Sequence, residues 1–265
     1  MQITEQTLAL IAGTGANDNM RSTVEGLKRG GVGAGLERPH RLAMYLGQLS
    51  HESAGWRHDR EIWGPTAAQK RYEGRADLGN TQPGDGSRFR GRGPIQITGR
   101  ANYAEFTAWA RKMDRKAPDF TVTPDAVNTD PWEGLGPIWY WDTRNINTMA
   151  DRGDYETVTR RINGGLNGYA DRQQRYARAA LVLMGRKAAD VRGYQMAVGL
   201  TPDGIAGPVT LASMHKALLS MPPVSFGIPV PPSGGAQPTP APLSPAQNPI
   251  AALFAWLNRI FGGAK

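Results

Sequence analysis

The sequence predicts a mainly α-helical fold with only very short strands, in which one large domain spans residues 1–187 and a small helical module follows at 188–220. Three observations lead there. Apolar residues recur at i, i+3, i+4 and i+7 through successive segments of the first 185 residues. Glycine and proline clusters fall between those segments, where turns are needed. A chain of 265 residues with 40% apolar content can bury one core of roughly 150 to 200 residues and have some left over.

Residues 4–12 and 17–28 read as short amphipathic helices, separated by Gly13-Thr14-Gly15 and closed by Gly30-Gly31. A longer helix is expected from Pro39, whose fixed φ suits a first turn, to about Ser53. On it Tyr45, Leu49 and Glu52 share a face. Residues 62–94 are rich in Gly, Pro, Asn and Asp and read as a long irregular segment, which in a compact domain usually carries function. Helical signals return at 101–113, 131–141, 155–162 and 169–184, and the domain ends near Gly185. Beyond it, two short helices around a glycine turn fit 190–218, with Asp190 and Thr210 as N-caps. Residues 221–249 are dominated by Pro, Ser, Gly, Ala and Gln and read as a semi-rigid linker. A final amphipathic helix is expected at 250–265, with Leu253, Phe254, Leu257 and Phe261 on one face.

The net charge is +8, most of it within the first 187 residues, a balance that favours anionic polymers or surfaces without choosing among them. A nucleic-acid binder is disfavoured, because the arginines are interleaved with acids and no binding motif stands out. Cysteine is absent, which excludes disulfides and thiolate metal sites. The first residues lack the basic region and apolar stretch of a signal peptide, and no apolar run reaches the ~20 residues of a membrane span. The expectation is synthesis in the cytoplasm, with action elsewhere only after something else opens a way out.

The chemistry gathers in three segments: Glu52 within His51-Glu52-Ser53, Glu61 within Arg60-Glu61-Ile62-Trp63, and Gly91-Arg92-Gly93-Pro94-Ile95-Gln96-Ile97-Thr98. On one continuous helix the two glutamates would lie nine times ~100° apart, on opposite faces and ~13 Å separated. Gly55 allows the chain to turn back through a left-handed conformation, so that the second acid faces the first. Cleaving a glycosidic bond needs an acid for the leaving oxygen and a second carboxylate across the sugar, ~6.5–9.5 Å away if it activates water. Glu52 suits the acid, because an apolar setting and a helix C-terminus both oppose ionisation. Glu61, with Arg57, His58 and Arg60 beside it, suits the ionised base, and the Thr98 hydroxyl could hold the water. Glu73 is a rival second carboxylate that spacing leaves open. Gly55 stands where a zinc protease would need its second histidine, and no metal or cofactor is called for. Gly91-Arg92-Gly93 lacks the lysine and spacing of a P-loop and reads as a tight turn.

These segments, with Asn102-Tyr103 and Ile162-Asn163-Gly164-Gly165, are similar to the family 19 glycoside hydrolases, the chitinase-like enzymes. The stretches Arg60-Glu61-Ile62-Trp63-Gly64-Pro65-Thr66 and Tyr72-Glu73-Gly74-Arg75 resemble most their phage and prophage endolysin branch. The resemblance covers roughly residues 40–185 and implies an inverting hydrolase with a lysozyme-like, two-lobed helical fold. It places Glu52 on the general acid, Glu61 on the general base and Thr98 on the residue that positions water. His51, Gln96, Asn102 and Asn163 fall on the substrate-binding side, and Arg172 on an arginine near the catalytic pair. Asn167 stands where plant members often carry an acid, and this chain has shorter loops and none of the plant cysteines.

Residues 191–218 resemble a small peptidoglycan-binding repeat; the alternative is a helical hairpin packed on the catalytic domain. Together these readings give a monomeric bacteriolytic glycosidase acting on peptidoglycan glycan strands in the periplasm after the membrane is breached. The alternatives are a chitinase acting on chitin oligomers and a non-catalytic wall-binding protein. Which of the two bond types is cut, muramidase or glucosaminidase, stays open. For the last helix, an anionic outer-membrane or lipid surface and docking on the protein are equal expectations.

Overall fold

The computed structural model describes residues 1–227, and the remainder of the linker and the terminal helix expected at 250–265 lie outside the described residues. The chain is mainly helical, as the periodicity requires. Helix α1 (Glu5–Ala12) is capped by Thr4 and α2 (Asp18–Gly26) by Asn17, each side-chain oxygen accepting a backbone N–H of the first turn. A single wide turn, Leu27–Gly31, closes the second. Helix α3 runs Pro39–Glu52 with proline in its first turn. From Pro39 to Ser50 all its residues but Arg41 are buried, so it is the central helix of the body rather than a surface one.

Between α3 and the next long helix the chain is irregular, as expected for 62–94, with three short turns of helix set into it: α4 (Ala67–Lys70), a tight turn at Ala76–Leu78, and α5 (Asp85–Arg88). Sequence periodicity cannot report pieces of three or four residues. Then follow α6 (Arg100–Met113), α7 (Trp132–Thr143), α8 (Asn147–Asp151), α9 (Tyr155–Asn163) and α10 (Tyr169–Leu183). Strand pairing among the described residues is limited to isolated bridges, Gln2 with Ser225, Arg60 with Arg92 and Arg92 with Ile97.

Two close helix contacts organise the body, both made possible by missing side chains. Helix α3 crosses α10 at Gly47, where a Cβ would stand 2.9 Å from the Tyr176 backbone. Helix α2 meets α7 at Gly26 and Gly134; a Cβ on the latter would lie 1.8 Å from the Ser22 carbonyl oxygen. Around these contacts one continuous apolar core includes Leu42, Leu46, Leu49, Phe106, Ile138, Trp139, Trp141 and Leu181, each large aliphatic worth about 1.5–3 kcal/mol when fully buried. A separate small cluster of Tyr72, Leu78 and Trp63 lies under the irregular segment.

The C-terminal helices α11 (Val191–Ala197) and α12 (Pro208–Leu219) pack on this body, and Tyr194, Leu211, Met214 and Leu218 belong to the same core. Asp190 caps α11 as expected. Thr210 does not cap α12: the helix begins two residues earlier, after Gly207, because Pro208 supplies the first turn, and the Thr210 hydroxyl accepts from the Gln195 amide. The segment expected to open the linker at 221 is bound into the body as far as Phe226, which is buried, while Val224 and Ser225 pair with Glu37 and Met1.

Candidate active site

Glu52 is the last residue of α3, and directly after it the chain reverses in an unusual way. Ala54, Gly55 and Trp56 all adopt left-handed backbone, with φ of 51°, 74° and 61°. Two of these are not glycine, so the turn stores strain that the surroundings must hold. Trp56 supplies the hold: it is fully buried, its indole N–H donates to the Thr23 hydroxyl, and its carbonyl accepts from Asn17 and Asn19. The turn expected at Gly55 is therefore present and three residues long.

The Glu52 side chain is only 1% exposed, and neither carboxylate oxygen accepts a hydrogen bond. Its setting is not purely apolar, as its helix face had implied. The Arg172 guanidinium, fully buried on α10, stands 2.6 Å from Oε1 in an ion pair. Arg172 is held by the Gln48 side-chain oxygen at 2.5 Å and the Asn167 carbonyl at 3.0 Å. Asn163 donates to that same Asn167 carbonyl at 3.4 Å, and its own side-chain oxygen is buried without a partner. The Asn167 backbone carbonyl thus serves both Arg172 and Asn163. His51 turns its Nδ1 to Asp171 at 2.6 Å and lies against Gly168, where a Cβ would be 2.3 Å from the ring. Burial alone would push the Asp171 carboxyl up, yet hydrogen bonds from His51 and Arg175 bring it down to about 2.

Glu61 lies in the irregular segment and is buried. Its backbone N–H donates to the Gly91 carbonyl at 2.9 Å, and the Gly91 N–H returns a bond of 3.1 Å to the Glu61 carboxylate. Gln69 and Tyr72 donate to the other carboxylate oxygen at 3.0 and 3.4 Å. The flanking-charge argument for Glu61 fails here. Arg60 is exposed and paired with Asp59 at 2.7 Å, and the cation that acts on Glu61 is Arg90. Burial raises the Glu61 carboxyl above its ordinary value, opposed by the donors from Gln69, Gly91 and Tyr72.

The glycine-rich segment forms the expected tight turn: Gly93 and Gln96 have φ of 72° and 55°, and the Gln96 N–H closes on the Gly93 carbonyl. Gly91 lets these side chains come close: a Cβ there would lie 2.5 Å from the Gln96 side-chain oxygen and 3.3 Å from the Thr98 hydroxyl, so Gln96 would have to move. Glu61, Gln96 and Thr98 therefore converge on one residue. The Thr98 hydroxyl donates to the Gln96 carbonyl at 2.9 Å, which leaves its lone pairs for a water. Asn102 spends its amide within the protein, donating to the Thr98 carbonyl and accepting from Arg144. Glu73 is not at this site. Its two oxygens accept the N–H groups of Gly84 and Gly86 and clip the loop before α5.

The end of α7 and the residue after it link Glu52 to Asn102 through side chains that carried no signal in the sequence. Arg144 bonds Asn102 and stacks 4.1 Å over Tyr140, whose buried phenol in turn feels the charge of Glu52. Gln48 was legible as the residue one helical turn before Glu52. Gln69 was legible as the fourth residue of a Thr66-Ala67-Ala68-Gln69 capping box.

A helical body carrying two buried carboxylates, one beside an arginine and one beside a glycine-rich turn, fits the acid and base of a glycoside hydrolase, the class to which its relatives belong. The chain belongs to glycoside hydrolase family 19. It is 33% identical over 177 residues to a glycosyl hydrolase family 19 domain-containing protein of Haemophilus influenzae, a match that covers 56% of this chain and 82% of that protein. It is 32% identical over 124 residues to an endochitinase of Arabidopsis thaliana and 29% over 157 residues to an acidic 27 kDa endochitinase of Solanum lycopersicum; these matches cover 47% and 52% of this chain. They span 39% and 58% of those plant proteins. The fold is similar to that of chitinase C from Streptomyces griseus (TM-score 0.54, 18% identity, 70% of this chain and 78% of that one). It is also similar to a bacterial family 19 chitinase (TM-score 0.53, 19% identity, 68% and 94%). No protein-family model matches the chain.

Proposed function

We propose that this chain is an endolysin-type glycosidase that hydrolyses β-1,4 glycosidic bonds of bacterial peptidoglycan with inversion and so lyses cells. The observation that carries the reading is the Glu52 carboxylate, sealed from solvent, aligned by Arg172 and left with two oxygens that accept no hydrogen bond. Oε1 is taken by the ion pair, whereas a buried Oε2 without a partner is costly to keep, and substrate would occupy it.

In the reaction the Glu52 carboxylate takes up a proton from solvent before substrate closes over it, hands that proton to the leaving glycosidic oxygen and returns to its ion pair with Arg172. A water held at Thr98 attacks the anomeric carbon from the opposite side while Glu61 takes its proton. Two things support peptidoglycan over long crystalline chitin: the +8 charge and the α11–α12 pair with its likeness to a wall-binding repeat. The relatives named as endochitinases favour a second reading, cleavage of chitin oligomers.

Purified peptidoglycan should lose turbidity and gain reducing ends with the wild-type chain, and Glu52→Gln should abolish both with the fold intact. Mass spectrometry of the released muropeptides names the bond. Solubilisation of chitin oligomers with inert peptidoglycan would overturn the substrate assignment. The two roles separate chemically: Glu52→Ala should regain turnover on an aryl glycoside whose leaving group needs no proton, and Glu61→Ala should regain it with added azide. The opposite pattern would exchange the roles.

A further inference from the structure

We propose that Gln69 is the positioning residue that aims the Glu61 carboxylate; the inference rests on the assignment of Glu61 as the base. Glu61 lies on no regular element, so something other than a helix or sheet has to fix its direction. Backbone pairing with Gly91 fixes one side only. The other side is held by a buried amide, with a longer contact from Tyr72 beside it.

Gln69 is 1% exposed and uses both ends of its side-chain amide. Its oxygen accepts the N–H of Gly64 at 3.1 Å and of Thr66 at 2.8 Å. Its NH₂ donates to the Ile62 carbonyl at 2.8 Å and to Glu61 Oε1 at 3.0 Å. Both lone pairs and both protons of the amide are thus used within residues 61–69. The orientation is forced: turned over, the amide would set its oxygen against a carbonyl and a carboxylate, and its NH₂ against two N–H groups. The donor therefore always faces Glu61.

The backbone of Gln69 is fixed in turn by the capping box, in which its N–H donates to the Thr66 hydroxyl at 3.3 Å. Helix α4, only Ala67–Lys70, thus holds Gln69 against the segment that bears the base. Tyr72, one turn further on, adds the weaker 3.4 Å contact to the same oxygen. The amide bond also favours the charged carboxylate against the burial that opposes it.

Gln69→Glu keeps the shape but sets a second carboxyl against Glu61 in place of the amide donor, and Gln69→Met keeps the length alone. With peptidoglycan as substrate and glycol chitin as a second one, each variant should lose roughly tenfold or more in kcat with KM within about twofold. The acidic limb of the pH profile of kcat/KM should move to higher pH by about one unit. Thr66→Ala, which frees the Gln69 backbone but keeps its amide, should lower thermal stability and move that limb less than either Gln69 variant. Wild-type kcat and an unmoved limb in a folded Gln69 variant would overturn the proposal, as would failure of both variants to fold, which would assign Gln69 to the scaffold. Glu61→Gln is the control for the parent reading: full turnover in that variant removes the base assignment itself, whereas an inactive Glu61→Gln beside an unaltered Gln69→Glu removes only the inference.

Discussion

The Arg172 guanidinium lies 2.6 Å from the Glu52 carboxylate, with both side chains sealed from solvent. Removing one member of such a pair leaves an uncompensated buried charge, which typically costs about 3–5 kcal/mol. Arg172→Ala is expected to lose that much in urea denaturation together with activity. Arg172→Lys keeps the charge but not the planar fork that reaches both Gln48 and Asn167, and should remain impaired. Stability within about 0.5 kcal/mol of wild type for Arg172→Ala would contradict the pairing.

Glu133, buried at the start of α7, has its carboxyl pushed up to about 7 by burial and by the neighbouring Asp59 and Asp130. Its value in the folded protein exceeds that of the unfolded chain, so the folded state binds the extra proton between about pH 4.5 and 7. Stability should fall as pH rises through that window and level off above it. Glu133→Gln is expected to match wild type near pH 4 and to exceed it by a few kcal/mol near pH 8 in denaturant titrations. An equal difference at both pH values would show that the carboxyl does not titrate as described.

Glu73 accepts two backbone N–H groups and has no contact with the Glu61 cradle. Glu73→Gln should therefore lower stability by roughly 1 kcal/mol and leave kcat nearly unchanged. A loss of kcat comparable to that of Glu61→Gln would return Glu73 to the catalytic pair.

Gly134→Ala would drive a methyl to 1.8 Å from the Ser22 carbonyl oxygen, a backbone atom that cannot swing away. Separation of α2 and α7 is the only relief, and overpacking of this kind costs about 1–3 kcal/mol or more. The melting temperature should drop accordingly, while Gly15→Ala, at a position with open space, should not change it.

Much of this architecture was legible before any coordinates. The long helices announce themselves by period, and Pro39, Thr4 and Asp190 mark starts that the structure keeps. Tyr45, Leu49 and Glu52 do share one helix, with the first two in the core. What escaped is non-local. Nothing near Glu52 in sequence announces Arg172, which arrives through the α3–α10 crossing at Gly47. The charges beside Glu61 misled because Arg60 turns outward to Asp59, whereas the side chains that touch the carboxylate come from 69 and 72. Side-chain direction in an irregular segment depends on tertiary contacts, and no periodicity encodes those.

The left-handed run at Ala54, Gly55 and Trp56 has a consequence for how this stretch tolerates change. Residues 53–60 join two acids that are anchored separately, one rooted in α3 and the other moored to Gly91. The indole of Trp56, bonded to Thr23, is the wedge that keeps the connection in one shape. Deleting a residue there would dislodge it, and lost stability and lost turnover would then be two readouts of one piece of backbone.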